Sequence, residues 1–275
     1  MKKLIVVADW ASDSLTCQEV RSATEGYLKD HNGGIITFIH STPSTIHTAF
    51  LIEQIVEVEE RYGKPLETVI FQNTDPRLHS DHSLKNADGA KPLIIRLKSG
   101  IYLTGPDAGY DFSLIKSRIE EVYEYKGLNV EGQFHSRDLF ARIAAHLMDE
   151  MEDELELDEV SSNSIPELRD HYVAHVDSFG NIKTLIPHSF FKGKFEYGES
   201  VSITMNNVTK KAKYVTNLFG GEPGELVIFP GSSGKNSDRY LEITIWRHFT
   251  EKNPTTGLHV FDYPKPGMKI DPQIK

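Results

Sequence analysis

Side chains able to do chemistry gather in four short segments of the first half of the chain. Asp9 and Asp13 stand in ADWASD, directly after an apolar run that begins at Leu4. A nucleotide-binding α/β fold usually carries a glycine-rich loop at that place, because glycines let backbone amides approach a pyrophosphate. ADWASD has no glycine, which speaks against dinucleotides and against ordinary Rossmann methyltransferases. A carboxylate there suits a pair of ribose hydroxyls, and capping of the following helix by Asp9 accounts for it equally. The second segment, NTDPRLHSDHS, packs Asp75, Arg77, His79, Asp81 and His82 into eight residues. These types serve acid-base work, water orientation or metal ligation, and they also make polar surface turns. The third, GPDAGY at residues 105–110, has the proline and paired glycines of a tight turn. The fourth, GQFHSRDLFARIAA, sets His135, Ser136, Arg137 and Asp138 at a predicted helix start. Free amides and the helix dipole favour an anion or a polarised nucleophile there. Ser136 is the expected N-cap, and a satisfied buried histidine is the plain alternative for His135.

The string HSDH partly resembles the HxHxDH run of metallo-β-lactamase-like hydrolases, so a metal held by His79, Asp81 and His82 is one reading, although the first histidine of that run is missing. In the second half, HVDSFGNIKT and LFGGEPGELVIFPGSSG are richer in Gly, Asn, Asp and Ser than strands need. Each reads as a hairpin. Together they offer stacking from Phe179 or Phe219, an amide from Asn181 and a hydroxyl from Ser233, a set that suits an adenine and an amino acid.

Strand ends and helix starts must hold these residues. Short β-branched runs at residues 4–8, 35–39, 68–72 and 93–97 alternate with helical patterns, which predicts a Rossmann-like α/β domain with a mostly parallel sheet. Open sheets of that kind bind ligands at strand ends. A helix is predicted over 45–62, introduced by Ser-Thr-Pro and stopped at Gly63, with Ile46, Ala49, Phe50, Ile55 and Val58 on its apolar face. Another follows Ser136, with Leu139, Phe140, Ile143, Ala144, Leu147 and Met148 at helical spacing. Residues 149–159 hold eight carboxylates and no base, and read as a solvated helix end or linker. Beyond them come short strands at 172–176, 182–186, 201–205, 212–215, 226–229 and 241–245, the pattern of a small antiparallel sandwich or barrel. The expected domains are 1–160 and 161–275, with the tail from Pro264 as an extended arm.

Composition narrows the class. With 275 residues, 39% hydrophobic, 25% charged, 20 Gly and 13 Pro, the chain reads as a soluble globular protein of two domains. The net charge of −10 is local, because outside 149–159 there are 32 acidic against 30 basic residues. No apolar run approaches the ~18 residues of a bilayer span, and the run from Leu4 stops at Asp9, short of the ~7 to 15 residues of a signal-peptide core. The single cysteine, Cys17, closes no intrachain disulfide and builds no thiolate zinc site. The expected location is the cytoplasm. Basic stretches with interleaved aromatics are lacking, so neither nucleic acid nor membrane is an expected partner.

Taken in order, GPDAGY, FHSRDLFARIAA and VDSFGNIKT resemble the GPDNG, FHGRDIFAPVAA and IDxFGNxxTN blocks of the S-adenosylmethionine hydroxide adenosyltransferases. That family includes the S-adenosylmethionine-dependent fluorinase and chlorinase. The resemblance runs from about Leu4 to Ile245. It implies an N-terminal α/β domain joined to a C-terminal small antiparallel β-barrel, assembled as a homotrimer with active sites between neighbouring subunits. It implies in-line displacement at the 5′ carbon of S-adenosylmethionine, without metal or organic cofactor, and neutral methionine as leaving group. Such a reaction needs a positioned nucleophile stripped of solvent, with no general acid.

Water-using members place an Asp-Arg-His set around that nucleophile. By motif position Asp75 resembles the Asp and His135 the His; where the family has VDPGVGTxR, the arginine position is occupied by His82, with Arg77 as the other candidate. Ser136 follows the histidine where water-using enzymes usually have Gly and the halogenases a halide-contacting serine. The halogenases carry tyrosines at the positions of Asp75 and His135, so hydrolysis ranks above halide transfer. A binder of an adenosyl ligand without turnover is the third reading. The resemblance assigns Asp9 to the ribose hydroxyls, Asp177 to the methionine ammonium, Asn181 to the adenine edge, Phe219 to adenine stacking and Ser233 to the methionine carboxylate, with Asp13 near the same end of the substrate.

Overall fold

The computed structural model describes residues 2–29, 34–76, 90–127, 132–246 and 255–273. By contact the chain divides into two units, Met1–Glu167 and Leu168–Lys275. In the first, the chain runs through β1 (Lys3–Ala8), α1 (Ser14–Tyr27), β2 (Ile35–His40), α2 (Thr45–Tyr62), β3 (Thr68–Asn73), β4 (Pro92–Leu97), β5 (Tyr102–Pro106), β6 (Ile119–Tyr125), α3 (Ala141–Met148) and β7 (Leu157–Glu159). The sheet order is β2-β1-β3-β5-β4-β6-β7. β1 pairs in parallel with β2 and β3, and β3 in parallel with β5. The predicted strand at 93–97 departs from this direction, since β4 is antiparallel to β5 and to β6. The turn between β4 and β5 is the reason: Leu97 donates to the Ile101 carbonyl across a tight hairpin, and a parallel pair needs a crossover of a dozen residues or so.

Both faces of this sheet are covered. Leu4, Val6 and Ala8 point to one face, where they pack with Val20 of α1 and Leu139, Ile143 and Ala144 from the segment through α3. Val7 and Ile70 point to the other, against Ile52 and Val56 of α2. This is the alternation of a pleated strand used on both sides. α2 occupies its predicted span, with the Ser44 side chain accepting from the His47 amide and Gly63 at its end. Ile46, Ala49 and Phe50 are buried as expected, but Val58 is 52% exposed, and Ile52 and Val56 take the inner face. Val58 lies two positions beyond Val56, about 200° around the helix, and so must point away.

The helix after His135 also differs at its start. Leu139, Phe140, Ile143, Ala144, Leu147 and Met148 are buried, yet the chain enters α3 through a π turn, Ser136–Phe140. His135 holds the N-cap position and already has helical angles (φ −57, ψ −28), and no side chain caps the turn. An N-cap has non-helical angles, so Ser136, one residue further in, does not cap this helix. The acidic run forms a turn of 3-10 helix at Glu152–Glu154 and the edge strand β7, a partly solvated border of the sheet.

The second unit is nearly closed upon itself. Its strands β8 (Val173–Val176), β9 (Ile182–Pro187), β10 (Ser200–Met205), β11 (Val208–Tyr214), β12 (Leu226–Lys235), β13 (Asp238–Ile245) and β14 (Ile270–Gln273) lie in the order β14-β10-β11-β12-β13-β9-β8. All pairs are antiparallel except β11 with β12. A bridge between Tyr172 and Lys269 joins the approaches to the two outermost strands, which makes the sheet barrel-like. Val173, Ile182, Phe191, Val201, Ile203 and Ile243 fill its interior. The tail is therefore no free arm. Residues 270–273 pair with β10, and Ile270 and Pro272 alternate inward while Asp271 and Gln273 face out. No helix among the described residues is long and apolar enough to cross a membrane.

Since Ile270 is 4% exposed in that core, Ile270→Ala is expected to cost about 2–4 kcal/mol in urea unfolding. A loss below about 0.5 kcal/mol would mean that the tail does not contribute as an inner strand.

Candidate active site

Parallel pairing delivers three carboxylates to one edge of the first sheet. β1, β3 and β5 are neighbours, with Ala8 opposite Asn73 and Phe71 opposite Thr104. Asp9, Asp75 and Asp107 follow directly beyond the C-terminal ends of these strands. β1 is also where the chain direction of the sheet divides, with β2 on one side and β3 on the other, the switch point at which open α/β sheets leave a crevice.

A buried polar network fixes these ends. Gln72 Nε2 donates to the Pro106 carbonyl at 2.6 Å, and its Oε1 accepts from the Thr74 amide at 3.0 Å, so one side chain ties the end of β3 to the end of β5. The Thr74 hydroxyl meets those of Ser41 at 2.9 Å and Thr48 at 2.7 Å, which fastens the same point to the end of β2 and the start of α2. Trp10 Nε1 donates to Asn73 Oδ1 at 3.0 Å. The glycine of the GPDAGY turn has a steric reason, because a Cβ on Gly105 would lie 2.3 Å from the Gln72 carbonyl oxygen. Only a residue without one lets β5 approach so closely.

Above this network lies a cavity of 790 Å³. Asp9, Trp10, Asn73 and Asp75 line it from the strand ends, and Phe134, His135, Ser136 and Phe140 line it from the segment entering α3. Lys91 and Glu124 contribute another wall and pair with each other at 2.8 Å. Four of the residues singled out from sequence, Asp9, Asp75, His135 and Ser136, thus share one pocket. His135 is exposed, whereas Ser136 is buried. Burial raises the Asp9 carboxyl above its usual range, and the Asp75 charge adds to that, while the Trp10 amide and His40 act the other way. Asp107 is pushed up to about 6, mainly by burial and further by Glu124, against the pull of Lys91. His82 lies outside the described residues, as do Arg77, His79 and Asp81. Among the described residues no group of three or more His, Cys, Asp or Glu side chains is arranged to hold a metal ion.

Asp13 has a local task. It is the N-cap of α1, accepting from the Leu15 amide at 3.1 Å and the Thr16 hydroxyl at 2.7 Å, and these donors hold its carboxyl below the usual range. The cap of this helix is Asp13 and not Asp9. Thr16 lines the pocket, so the cap anchors a pocket residue.

In the second unit, Asp177, Phe179 and Asn181 belong to the turn between β8 and β9. Asp177 Oδ1 accepts from the amides of Phe179 at 2.9 Å and Asn181 at 3.0 Å, and its Oδ2 accepts from Asn181 Nδ2 at 2.9 Å. Asn181 Oδ1 accepts from the Thr244 hydroxyl. Gly180 sits at φ +75, and a Cβ there would lie 2.4 Å from the Thr256 hydroxyl oxygen. The FGN core of the block is therefore a tight Asx turn that leaves Phe179 61% exposed. Phe219 is 67% exposed and packs edge-on against Trp246 at 5.1 Å. Ser233, on β12, is 3% exposed, and its hydroxyl has no hydrogen-bond partner among the described residues.

Sequence reading missed Trp10, Lys91, Glu124 and Phe134 as pocket residues, and the buried acid Asp111. Trp10 stood inside the quoted ADWASD and Phe134 next to His135. Asp111 is the residue immediately after GPDAGY, an acid directly ahead of an apolar stretch, which was the available signal.

Comparison with known proteins agrees with the third block, VDSFGNIKT. Residues 171–247 match the SAM hydroxide adenosyltransferase C-terminal domain. Over 169 residues the chain is 31% identical to the (R)-S-adenosyl-L-methionine hydrolase of Methanocaldococcus jannaschii, a match that covers 56% of this chain and 58% of that relative. The chain thus spans somewhat more than half the length of the curated relative it matches. Both findings support the S-adenosylmethionine hydroxide adenosyltransferase family. The fold is shared with the crystal structure of an uncharacterized conserved protein from Thermotoga maritima, at a TM-score of 0.69 and 21% identity over 98% of this chain and 100% of that one. A conserved hypothetical protein from Thermus thermophilus is similar at 0.66 and 16% identity, over 99% and 100% of the two chains.

Removal of the cap carboxylate in Asp13→Ala is expected to lower stability by about 1 kcal/mol and to change ligand affinity less than about threefold. A larger loss of affinity with stability intact would give Asp13 to the ligand instead.

Proposed function

We propose that this protein is an S-adenosyl-L-methionine hydrolase, in which water attacks the 5′ carbon and the products are adenosine and L-methionine. The observation that carries the reading is the meeting of Asp9, Asp75 and His135 in one pocket at the switch point of the sheet. The match to an S-adenosyl-L-methionine hydrolase over part of the chain adds to it.

The chemistry balances without a cofactor. A carbon–oxygen bond forms at the 5′ carbon as the carbon–sulfur bond breaks. The bonding pair leaves with sulfur as a neutral thioether, and the proton of water passes to a nearby base and then to solvent. Positive charge moves from sulfur toward the attacking water during this step. Carboxylates placed beside the water stabilise that charge as it develops, provided they are preorganised and shielded from bulk solvent. Asp75 has this position in the proposal, with His135 and Ser136 beside it and His82 in the place of the family arginine. Asp9 would hold the ribose hydroxyls, and Asp177, Phe179, Asn181, Phe219 and Ser233 would contact adenine and methionine.

The same carboxylates favour water over halide. Among the described residues, Asp9, Asp75 and Glu124 face the pocket with one lysine, Lys91, already paired to Glu124. An anionic nucleophile would meet repulsion where a neutral one does not. A homotrimer with interfacial active sites and a cytoplasmic location complete the proposal, supported by the family resemblance and by the single cysteine.

Incubation of the full chain with S-adenosylmethionine, with and without chloride, is expected to give adenosine and methionine at the same rate in both; formation of a 5′-chloro-adenosine would transfer the protein to the halide-using class. Asp75→Ala and His135→Ala are each expected to lower kcat by about a hundredfold or more while affinity stays within about threefold. Asn181→Ala and Phe219→Ala should show the reverse, with affinity down about tenfold. Light scattering should give a mass about three times that of the chain, as symmetric closure of a trimer requires.

A further inference from the structure

Asp111 occupies the turn that leaves β5, one residue before Phe112, which anchors the turn in the core. It is 1% exposed. Neither of its carboxyl oxygens has a hydrogen-bond partner among the described residues. Burial acts on it most; its own backbone amide favours the anion, and three other carboxyls, Asp107 on the same turn, Asp75 from the end of β3 and Asp9 from the end of β1, oppose it. Lys91 and Glu124 act on Asp107, and His40 acts on Asp9. Asp9 and Asp75 line the cavity, whereas Asp111 does not.

A carboxyl with no access to water and no donor, beside other acids at adjacent strand ends, is costly to charge. Each added charge raises the cost of the next, and the proton settles on the group with least access to water or to a donor. We propose that Asp111 is a positioning residue that stays a neutral carboxylic acid behind the pocket, so that it adds no further negative charge to the acids at the strand ends. The assignment of a catalytic purpose to this arrangement rests on the hydrolase reading. The protonation state itself does not. Complete burial drives the Asp111 carboxyl well above the carboxylate range, consistent with this placement.

An acid whose folded pKa is raised contributes stability that is fully present below the unfolded value and is lost as pH rises toward the folded value. Asparagine copies the neutral acid in shape and cannot ionise. Asp111→Asn should therefore melt close to the wild type at about pH 4, and its melting temperature should gain steadily on the wild type toward about pH 8. Infrared spectra of the ligand-free protein at neutral pH should show a protonated-carboxyl carbonyl stretch that the variant lacks. If the wild type turns over S-adenosylmethionine, the variant should keep neutral-pH kcat within about threefold and show a weaker decline on the alkaline side, as a group acting through its charge state requires. Absence of the infrared band, or a variant equally destabilised at every pH, would overturn the proposal by showing Asp111 ionised and paired. Failure of turnover in the wild type with the band present would instead count against the hydrolase reading alone.

Discussion

Parallel pairing of β1, β3 and β5 sets three strand ends side by side, and Gln72 and Thr74 hold them there. Asp9, Asp75 and Asp107 hang from this arrangement. Gln72 spends both of its polar ends on backbone groups of the neighbouring ends, and Thr74 is fully buried between the hydroxyls of Ser41 and Thr48. Such a network has value only when every member is satisfied, because a buried polar group left unpaired costs about 1–3 kcal/mol. Asp75 leaves the sheet directly after this clamp, so its position is inherited from β3 and not chosen by a free loop.

The clamp brings like charges together, and that creates the central electrostatic tension of the molecule. Asp9, Asp107 and Asp111 all have carboxyls raised above their ordinary range, with burial as the leading cause in each. A folded protein does not gain stability from such an arrangement. Under the hydrolase reading its use is to present negative charge, already stripped of water, to a cationic substrate and to a water that gains positive charge during attack. A glycine-rich phosphate loop at the end of β1 would attract an anion to this place; ADWASD gives it a carboxylate and an indole instead.

Much of this was legible in the sequence where a single local rule decided the outcome. Alternating apolar runs marked β1, β2 and β3, and Ser44 and Gly63 bounded α2. The segments ADWASD, TDP and FHS named the pocket's Asp9, Asp75, His135 and Ser136 before any strand order was known. Legibility failed where the outcome depended on partners distant in sequence. The direction of β4 followed from its hairpin with β5, and residues 270–273 became a strand because β10 offered an open edge. Ser136 looks like a cap by residue type, but the helix begins one residue earlier, which φ and ψ reveal and composition does not. Asp111 was hidden for the same reason. Its isolation from donors is a property of the packed turn and its neighbours, and an aspartate after a glycine-rich turn reads as an ordinary loop residue.

Under the hydrolase reading, the carboxylate pocket directs water to the 5′ carbon of S-adenosylmethionine. Single-turnover reaction in water enriched in heavy oxygen, followed by mass analysis of the nucleoside, tests it most directly. Adenosine with one heavy oxygen in its 5′ hydroxyl and unlabelled methionine are the expected products, and Asp75→Ala is expected to lose them. Label in any other position, a halogenated nucleoside, or intact S-adenosylmethionine bound without turnover would contradict it.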